Sequence, residues 1–196
     1  MKAVLASSNT GKLRELAAIL APLGYELVTQ SSLGIDTPPE TGVTFAENAL
    51  LKARHAARLA GLAALADDSG IEVDALGGRP GVYSARYAGE DATDLANLQK
   101  MLEELRGVPT DRRSARYQCV IAFVRSADDP APLIAHGSWE GRVLAAPRGM
   151  GGFGYDPIFQ PAGLALSAAE LPAEEKNARS HRGEALRVLA RLLPHA

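Results

Sequence analysis

Two adjacent carboxylates, Asp67 and Asp68, follow the apolar run of residues 62–66 and precede a Ser-Gly pair. Carboxylate oxygens at the end of a strand suit a hard divalent cation such as magnesium. Because successive side chains of a strand point to opposite faces, we expect one of the two aspartates to face a site. An Asp-Ser-Gly turn without a metal has the same residue types. This segment alone therefore leaves both interpretations open.

A second group of polar residues lies between the apolar run of residues 3–7 and a helical pattern. It consists of Ser7, Ser8, Asn9, Thr10, Gly11 and Lys12. A helix N-terminus presents unpaired N–H groups and a partial positive charge, so this segment can bind phosphate groups. It is not a Walker A loop, which needs glycine where Ala6 stands and Ser or Thr where Leu13 stands. The alternative is an ordinary capped helix after a strand.

Residues 149–156 form a glycine-rich segment that ends with Phe153, Gly154, Tyr155 and Asp156. The segment contains the pattern G-x-G-x-x-G, but Pro157 and a β-like pair follow it where a dinucleotide fold needs a helix. Phe153 can stack on a flat base, and neighbouring polar groups can contact the edge of that base. The alternative is a hairpin connection whose aromatic residues pack in the core.

The start of the last helix carries several cations. Ser180 is the expected N-cap, and His181 and Arg182 then occupy the first turn, with Lys176 shortly before them. Cations at this end oppose the helix dipole, and a local cost of this kind suggests an anionic or base partner. Charged residues on a solvated surface are the alternative interpretation.

Two glutamates precede or open another helix. Thr44 and Glu47 have the spacing of a capping box, which accounts for Glu47 without any chemistry. Glu40 lies in a Pro-Pro-Glu-Thr-Gly loop, where a glutamate is usually only solvated.

Composition narrows the possible classes of protein. The formal net charge of −2 gives no basic footprint for a nucleic-acid polymer. The apolar stretch near Met1 is too short for a signal peptide or a membrane span, so we expect a cytoplasmic protein. Cys119 is the single cysteine and lies in an apolar run, which favours a core position.

The apolar periodicity predicts the elements that must position these residues. Strands are expected at residues 3–7, 26–29, 62–66, 71–75, 115–125 and 133–144, and helices over residues 13–20, 45–60, 95–105 and 185–192. Helices and strands interleave, and neighbouring strands of the second half are expected to pair antiparallel. This order favours an α/β fold with a mixed sheet. The length fits one domain over residues 1–196, or two closely packed lobes.

Six segments together resemble the inosine/xanthosine triphosphate pyrophosphatase family, also called Ham1-like, in its bacterial form. They occur in the order of that family and cover nearly the whole chain, and they are residues 8–16, 44–49, 66–70, 80–89, 151–157, and Lys176 with residues 180–183. Any one of the segments is weak, whereas six in order are highly specific.

The resemblance implies an elongated α/β fold with a central curved mixed sheet, flanking helices, and two lobes around an active-site cleft. It implies that non-standard purine nucleoside triphosphates, those of inosine and xanthosine and their deoxy forms, are hydrolysed to the monophosphate and pyrophosphate. It further implies Mg²⁺ as cofactor and a homodimer, with small-molecule nucleotides as partners and neither a nucleic-acid polymer nor a membrane.

Roles of residues also follow from the resemblance. Asp68 would be the catalytic base and a metal ligand, Glu40 a second metal ligand, and Ser69 a substrate contact. In some relatives two acidic residues precede Thr41, whereas Pro39 takes the first of these positions here. The triphosphate would be bound by Ser7, Ser8, Asn9, Thr10, Gly11 and Lys12, and the nucleotide and its base by Phe153, Gly154, Tyr155, Asp156, Lys176, His181 and Arg182.

Donors aimed at a 6-oxo group would disfavour adenine, which has an amino group at that position. How guanine is rejected does not follow from the residues. Two other functions fit parts of the same pattern. One is a Maf-like nucleotide pyrophosphatase, which should lack the Phe-Gly-Tyr-Asp and Ser-His-Arg segments. The other is a non-catalytic nucleotide-binding regulator, against which the paired aspartates argue.

Overall fold

The computed structural model describes residues 1–7, 16–17 and 20–193, and it has an α/β architecture. The strands are β1 Lys2–Leu5, β2 Glu26–Thr29, β3 Ala63–Val73, β4 Ser114–Val124, β5 Leu133–Val143 and β6 Phe159–Pro161. The helices are α1 Phe45–Ala60, α2 Asp94–Glu104, α3 Ala173–Arg179 and α4 His181–Leu192. Leu16, Ala17 and Leu20 are also helical, as predicted, whereas Leu13 lies outside the described residues.

The strands form one mixed sheet in the order β2-β1-β3-β4-β5-β6. β1 pairs in parallel with β2 and with β3, and β5 pairs antiparallel with β6. The prediction of an α/β fold with a mixed sheet is therefore confirmed. Among the described residues, no helix is long and apolar enough to span a membrane.

The start and end of α1 follow the signals in the sequence. Thr44 Oγ1 accepts from the Glu47 backbone N–H at 3.2 Å, and Glu47 Oε2 accepts from the Thr44 N–H at 3.1 Å. This is the predicted capping box. Gly61 ends the helix in the left-handed region, at φ +66°, where glycine has no steric penalty.

β3 differs from the prediction. We expected two strands separated by a turn at Asp67-Asp68-Ser69-Gly70, but residues Ala63–Val73 form one continuous strand. Nearly the whole strand is buried, including Asp67 and Asp68. β1 pairs with β3 at residues 63–65, and β4 is the hydrogen-bonded neighbour on the other side, so the ladder with β4 can continue through the polar segment. The aspartates thus lie within a strand and not at its end.

The chain divides into two compact units, each with its own apolar core. The first unit comprises the described parts of residues 1–68, 119–137 and 184–196, and the second comprises residues 69–118 and 138–183. Cys119 is buried in the core of the first unit, as predicted. The core of the second unit is rich in aromatic residues, namely Tyr87, Tyr117, Trp139, Tyr155 and Phe159.

Candidate active site

Asp68 of the first unit lies in a cluster of polar side chains, which we call the carboxylate cluster: Asn48, Lys52 and Asp68, which are buried, and Glu40, which is partly buried. Lys52 Nζ lies 3.0 Å from Asp68 Oδ1 and 2.6 Å from Glu40 Oε1. Asn48 Nδ2 donates to Asp68 Oδ2 at 3.2 Å. Both oxygens of Asp68 therefore have a donor from α1, and one ammonium group lies between two carboxylates.

α1 positions this cluster because Asn48 and Lys52 are four residues apart and so lie on the same helix face. The loop that carries Glu40 is attached to the same helix. The Gly42 N–H donates to Asn48 Oδ1 at 2.8 Å, and a Cβ at this position would lie only 2.7 Å from that oxygen. Glycine at position 42 therefore permits this close contact.

Burial and charge act in opposite directions on the two central groups. Asp68 and Lys52 are each only 7% exposed. Burial raises the pKa of Asp68 above the ordinary aspartate value, while the Lys52 charge lowers it and Glu40 raises it further. For Lys52, burial opposes the charged form, but Asp68 and Glu40 outweigh it, so the pKa of Lys52 is raised. Lys52 is therefore an ammonium group at neutral pH.

The donor set fits a hard cation that binds together with a phosphate ligand. Asp68 and Glu40 direct oxygens at one positive group, the Lys52 ammonium. Within the described part of the chain, no group of three or more His, Cys, Asp or Glu residues could hold a metal. Mg²⁺ is commonly bound through one or two carboxylates plus substrate phosphates, so two carboxylates are enough for such a site.

The second unit contains the other group of predicted residues, which we call the aromatic–cation cluster: Phe153, Asp156, Lys176, His181 and Arg182. Phe153 is 59% exposed. Lys176 Nζ lies 4.6 Å and Arg182 Cζ 5.9 Å from the centre of its ring. An exposed ring with two cations nearby can bind a flat, electron-rich ligand by stacking and electrostatics.

Asp156 is the buried anion of this cluster. Its Oδ2 accepts from the Lys176 ammonium and from the Phe153 backbone N–H, the latter at 2.8 Å. Gly152, at φ +72°, allows the loop to fold over this carboxylate, because a Cβ there would lie 2.2 Å from Asp156 Oδ2. Asp156 thus fixes the backbone that presents Phe153.

Two further contacts attach the loop to the rest of the second unit. The Gly154 N–H donates to Asp94 Oδ2, and the Tyr155 hydroxyl donates to the Ser84 carbonyl oxygen, both at 2.8 Å. The Tyr155 side chain is buried in the aromatic core. Its side chain therefore positions the loop from within the core.

The N-terminus of α4 adds the remaining predicted residues. Ser180 Oγ accepts from the Gly183 N–H at 3.2 Å, which confirms Ser180 as the N-cap. Arg182 Nη2 donates to Ser69 Oγ at 3.2 Å, so the structure brings these two predicted residues together. His181 is buried, and its ring is stacked on that of Tyr117.

Part of the predicted phosphate loop is outside the region that the structure describes. Ser7 is half-buried just after β1, and its N–H donates to the Leu5 carbonyl oxygen at 2.8 Å. Ser8, Asn9, Thr10, Gly11 and Lys12 lie outside the described residues. Their assignment to the phosphates stays a prediction.

The sequence did not identify Asn48, Lys52 and Tyr117 as neighbours of the predicted site residues. A signal for the first two was present, because they belong to the same helical stripe as Ala49 and Ala53, which are buried. Polar residues on the buried face of a helix need partners, and a buried carboxylate is such a partner. Tyr117 gave no comparable signal, since an aromatic residue on a buried strand face is normally a core residue.

Comparisons with known proteins cover the chain almost completely. The model of the Ham1 family matches residues 3–192. A protein of Shigella flexneri named dITP/XTP pyrophosphatase is 60% identical over 188 residues, which cover 96% of this chain and 95% of that protein. A protein of the same name from Escherichia coli strain K12 is 58% identical with the same coverage.

Solved structures show the same likeness. A HAM1 protein from Coxiella burnetii has a TM-score of 0.94 at 50% identity and covers 98% of both chains. A structure described as nucleoside-triphosphatase / dITP/XTP pyrophosphatase from Mycobacterium abscessus has a TM-score of 0.79 at 44% identity, covering 99% of this chain and 98% of that one. The likeness therefore covers nearly the whole chain, including both units.

Proposed function

The chain belongs to the Ham1 family, and from this premise we propose that it hydrolyses non-standard purine nucleoside triphosphates to the monophosphate and pyrophosphate. The substrates are the inosine and xanthosine triphosphates and their deoxy forms, and their removal keeps these bases out of DNA and RNA. The observation on which the proposal depends most is the full-length likeness to proteins named dITP/XTP pyrophosphatase.

Asp68 is the general base of the proposed reaction. It accepts the proton of the water that attacks the α-phosphorus, and the bond to the pyrophosphate oxygen then breaks. Its buried position and raised pKa support this role, because a base acts best when its pKa approaches the working pH. Lys52 and Asn48 hold both carboxylate oxygens, which fixes the direction from which the proton is accepted.

Mg²⁺ is the proposed cofactor, held by Asp68 and Glu40 together with phosphate oxygens. When bound, it supplies charge neutralisation at the phosphates and lowers the pKa of a coordinated water. Lys52 contributes a second positive charge beside the same two carboxylates. Ser7, Ser8, Asn9, Thr10, Gly11 and Lys12 are proposed to bind the triphosphate.

The aromatic–cation cluster is proposed to bind the nucleobase. Phe153 supplies the stacking surface, and Lys176, His181 and Arg182 supply donors or positive charge toward oxygen atoms on the base edge. The exposed ring and its two neighbouring cations support this assignment. Ser69 contacts the nucleotide close to Arg182, with which it shares a hydrogen bond. A 6-oxo group accepts from such donors, whereas the 6-amino group of adenine leaves them without an acceptor.

Two further parts of the proposal concern the protein as a whole. We propose that it acts as a homodimer and that it is located in the cytoplasm. Sedimentation or light scattering of the purified protein measures the first, and fractionation of the producing cell measures the second.

The test of the proposed function is release of pyrophosphate from inosine triphosphate, with and without Mg²⁺. We expect rapid, Mg²⁺-dependent release from inosine, deoxyinosine and xanthosine triphosphates, and much slower release from the adenosine and guanosine compounds. A preference for nucleotides with other bases would favour a Maf-like activity instead. Binding without any release of pyrophosphate would favour a non-catalytic regulator.

A further inference from the structure

Tyr117 of β4 contacts two residues of the aromatic–cation cluster, His181 and Asp156, from the core of the second unit. Its ring is stacked on the His181 ring, with centroids 4.7 Å apart and planes within 7° of parallel. Its hydroxyl donates to Asp156 Oδ1 at 3.4 Å. The same ring packs edge-on against Phe159, with centroids 4.7 Å apart, which fixes its own position.

The chemical state of Tyr117 suits a positioning role. Tyr117 and His181 are both buried, at 8% and 6% exposure. Burial raises the pKa of Tyr117 well above its usual range, with the Asp156 charge acting in the same direction. The hydroxyl therefore remains a donor at all working pH values.

We propose that Tyr117 is a positioning residue that orients His181 through its ring and Asp156 through its hydroxyl, and thereby sets the selectivity for the base. Parallel contact with a fixed ring restricts rotation of the imidazole, whose edge then keeps one direction. Asp156 in turn holds Lys176 and the Phe153 backbone N–H. One buried side chain thus connects the stacking loop with the first residue of α4.

This inference rests on the proposed function, since it assigns Tyr117 a role in base recognition. The competing explanation is that Tyr117 is only a core residue, as its position on an alternating apolar strand suggests. The two explanations differ in what they predict for selectivity. Loss of core packing reduces the fraction of folded enzyme and leaves the relative rates for different substrates unchanged.

The experiment compares Tyr117→Phe, which removes only the hydroxyl, with Tyr117→Leu, which also removes the stacked ring. Kinetic constants for inosine and adenosine triphosphates and the melting temperature are measured for each. For inosine triphosphate we expect a rise in KM of about tenfold for Tyr117→Leu and about threefold for Tyr117→Phe, with smaller changes in kcat. The preference over adenosine triphosphate should fall in the same order.

Tyr87 provides matched control variants. It lies in the same aromatic core, its hydroxyl donates to Glu104 at 2.6 Å, and Lys100 lies over its ring. Tyr87→Phe and Tyr87→Leu therefore remove a hydrogen bond to a carboxylate, shorter than that of Tyr117, and the same side-chain volume as the Tyr117 variants. We expect these variants to lower the melting temperature and to leave KM and base preference unchanged. Equal shifts in base preference for the Tyr87 and Tyr117 variants would overturn the inference.

A double-mutant cycle tests whether Tyr117 acts through its neighbours. In a His181→Ala background, Tyr117→Leu should raise KM by no more than about threefold, the effect of losing the hydroxyl contact with Asp156, because the imidazole that the ring orients is gone. Full additivity of the two substitutions would overturn the inference. If Tyr117→Leu does not fold, the cycle uses Tyr117→Phe and Asp156→Asn instead. Full additivity of their effects on KM would again overturn the inference.

The outcomes for the wild-type enzyme separate this inference from the proposed function. If the wild type releases no pyrophosphate from inosine triphosphate, both fail. If it is active and the Tyr117 variants keep the wild-type base preference, only the role of Tyr117 fails.

Discussion

The carboxylate cluster and the aromatic–cation cluster present their charged groups in different ways. In the first, Asp68 and Lys52 are each only 7% exposed and are bonded to each other. In the second, the central ring of Phe153 is 59% exposed, and its cations lie over or beside it. A buried ion pair allows one geometry, whereas an exposed ring accepts any flat partner. The first arrangement suits proton transfer and the second suits recognition of a base.

The two clusters are also carried by different kinds of element, the first mainly by a helix and a strand and the second partly by a loop. α1 and β3 supply three of the four residues of the carboxylate cluster. Phe153 is carried by a loop that Asp156, Asp94 and the Tyr155 hydroxyl hold in place through side-chain contacts. We therefore expect substitutions in the carboxylate cluster to have the larger effect on turnover, and those in the loop to act mainly on KM.

The largest effect is expected for Asp68→Asn. The substitution removes the proposed base, so turnover of inosine triphosphate should fall about 1,000-fold. The fold should persist, because the amide avoids the cost of burying a carboxylate. The measurement is kcat together with the melting temperature. Asp67→Asn is the control and should reduce turnover much less. Near-normal turnover by a folded Asp68→Asn enzyme would refute the role of Asp68.

Lys52→Met should reduce both activity and stability. It leaves Asp68 and Glu40 without their shared ammonium, and loss of one partner of a buried ion pair costs about 3 kcal/mol. We expect turnover to fall about 100-fold, as for loss of one preorganised charge. Denaturant unfolding and kcat measure the two effects. An unchanged free energy of unfolding would mean that the pair does not stabilise the first unit.

Arg182→Ala tests whether the second cluster reads the edge of the base. The rate for inosine and xanthosine triphosphates should fall more than that for adenosine triphosphate. The ratio of kcat/KM for inosine triphosphate to kcat/KM for adenosine triphosphate should therefore fall about tenfold. The reason is that an edge donor helps only bases with an acceptor. Equal losses for all three substrates would assign Arg182 to the phosphates or to structure.

Phe153→Ala should weaken all purine triphosphates by similar factors, about tenfold in KM, because stacking does not depend on the identity of the base. Phe153→Trp keeps a ring and serves as the control. The prediction is checked by KM for the inosine, xanthosine and adenosine compounds. A selective loss that spares adenosine triphosphate would show that the ring takes part in discrimination.

The smallest effect is expected for Asp94→Ala. This exposed carboxylate accepts from the Gly154 N–H, so its loss should loosen the loop and raise KM about threefold, with kcat unchanged. Asp91, a nearby exposed carboxylate, gives a matched control in Asp91→Ala. If both variants behave like the wild type, the Gly154–Asp94 contact does not position the loop.

Local signals in the sequence were sufficient for several elements. The capping box of Thr44 and Glu47, the stop at Gly61 and the N-cap Ser180 all depend on neighbours within four residues. Such interactions are visible along the chain, and the structure confirms them. The interpretation of Glu47 as a cap and not as a ligand also agrees with its two hydrogen bonds to backbone N–H groups.

Long-range contacts account for what sequence reasoning missed. The Asp-Asp-Ser-Gly segment resembles a turn in isolation, but β3 runs through it as one strand between its neighbours β1, which pairs at residues 63–65, and β4. The partners of Lys52 do not follow from the sequence for the same reason, because Asp68 and Glu40 are 16 and 12 residues away.

The sequence by itself determined the mixed α/β class, most of the elements, the caps of α1 and the N-cap of α4, and the family to which the chain belongs, but it did not predict α3. It also identified Asp68, Phe153, Lys176, His181 and Arg182 as candidates. Only the tertiary structure decided which side chains form ion pairs and which rings stack. Examples are the ion pair of Lys52 with Asp68 and the stacking of Tyr117 on His181. The reason is physical: a side chain's pKa and orientation depend on atoms within a few ångströms, and folding brings those atoms from distant parts of the chain.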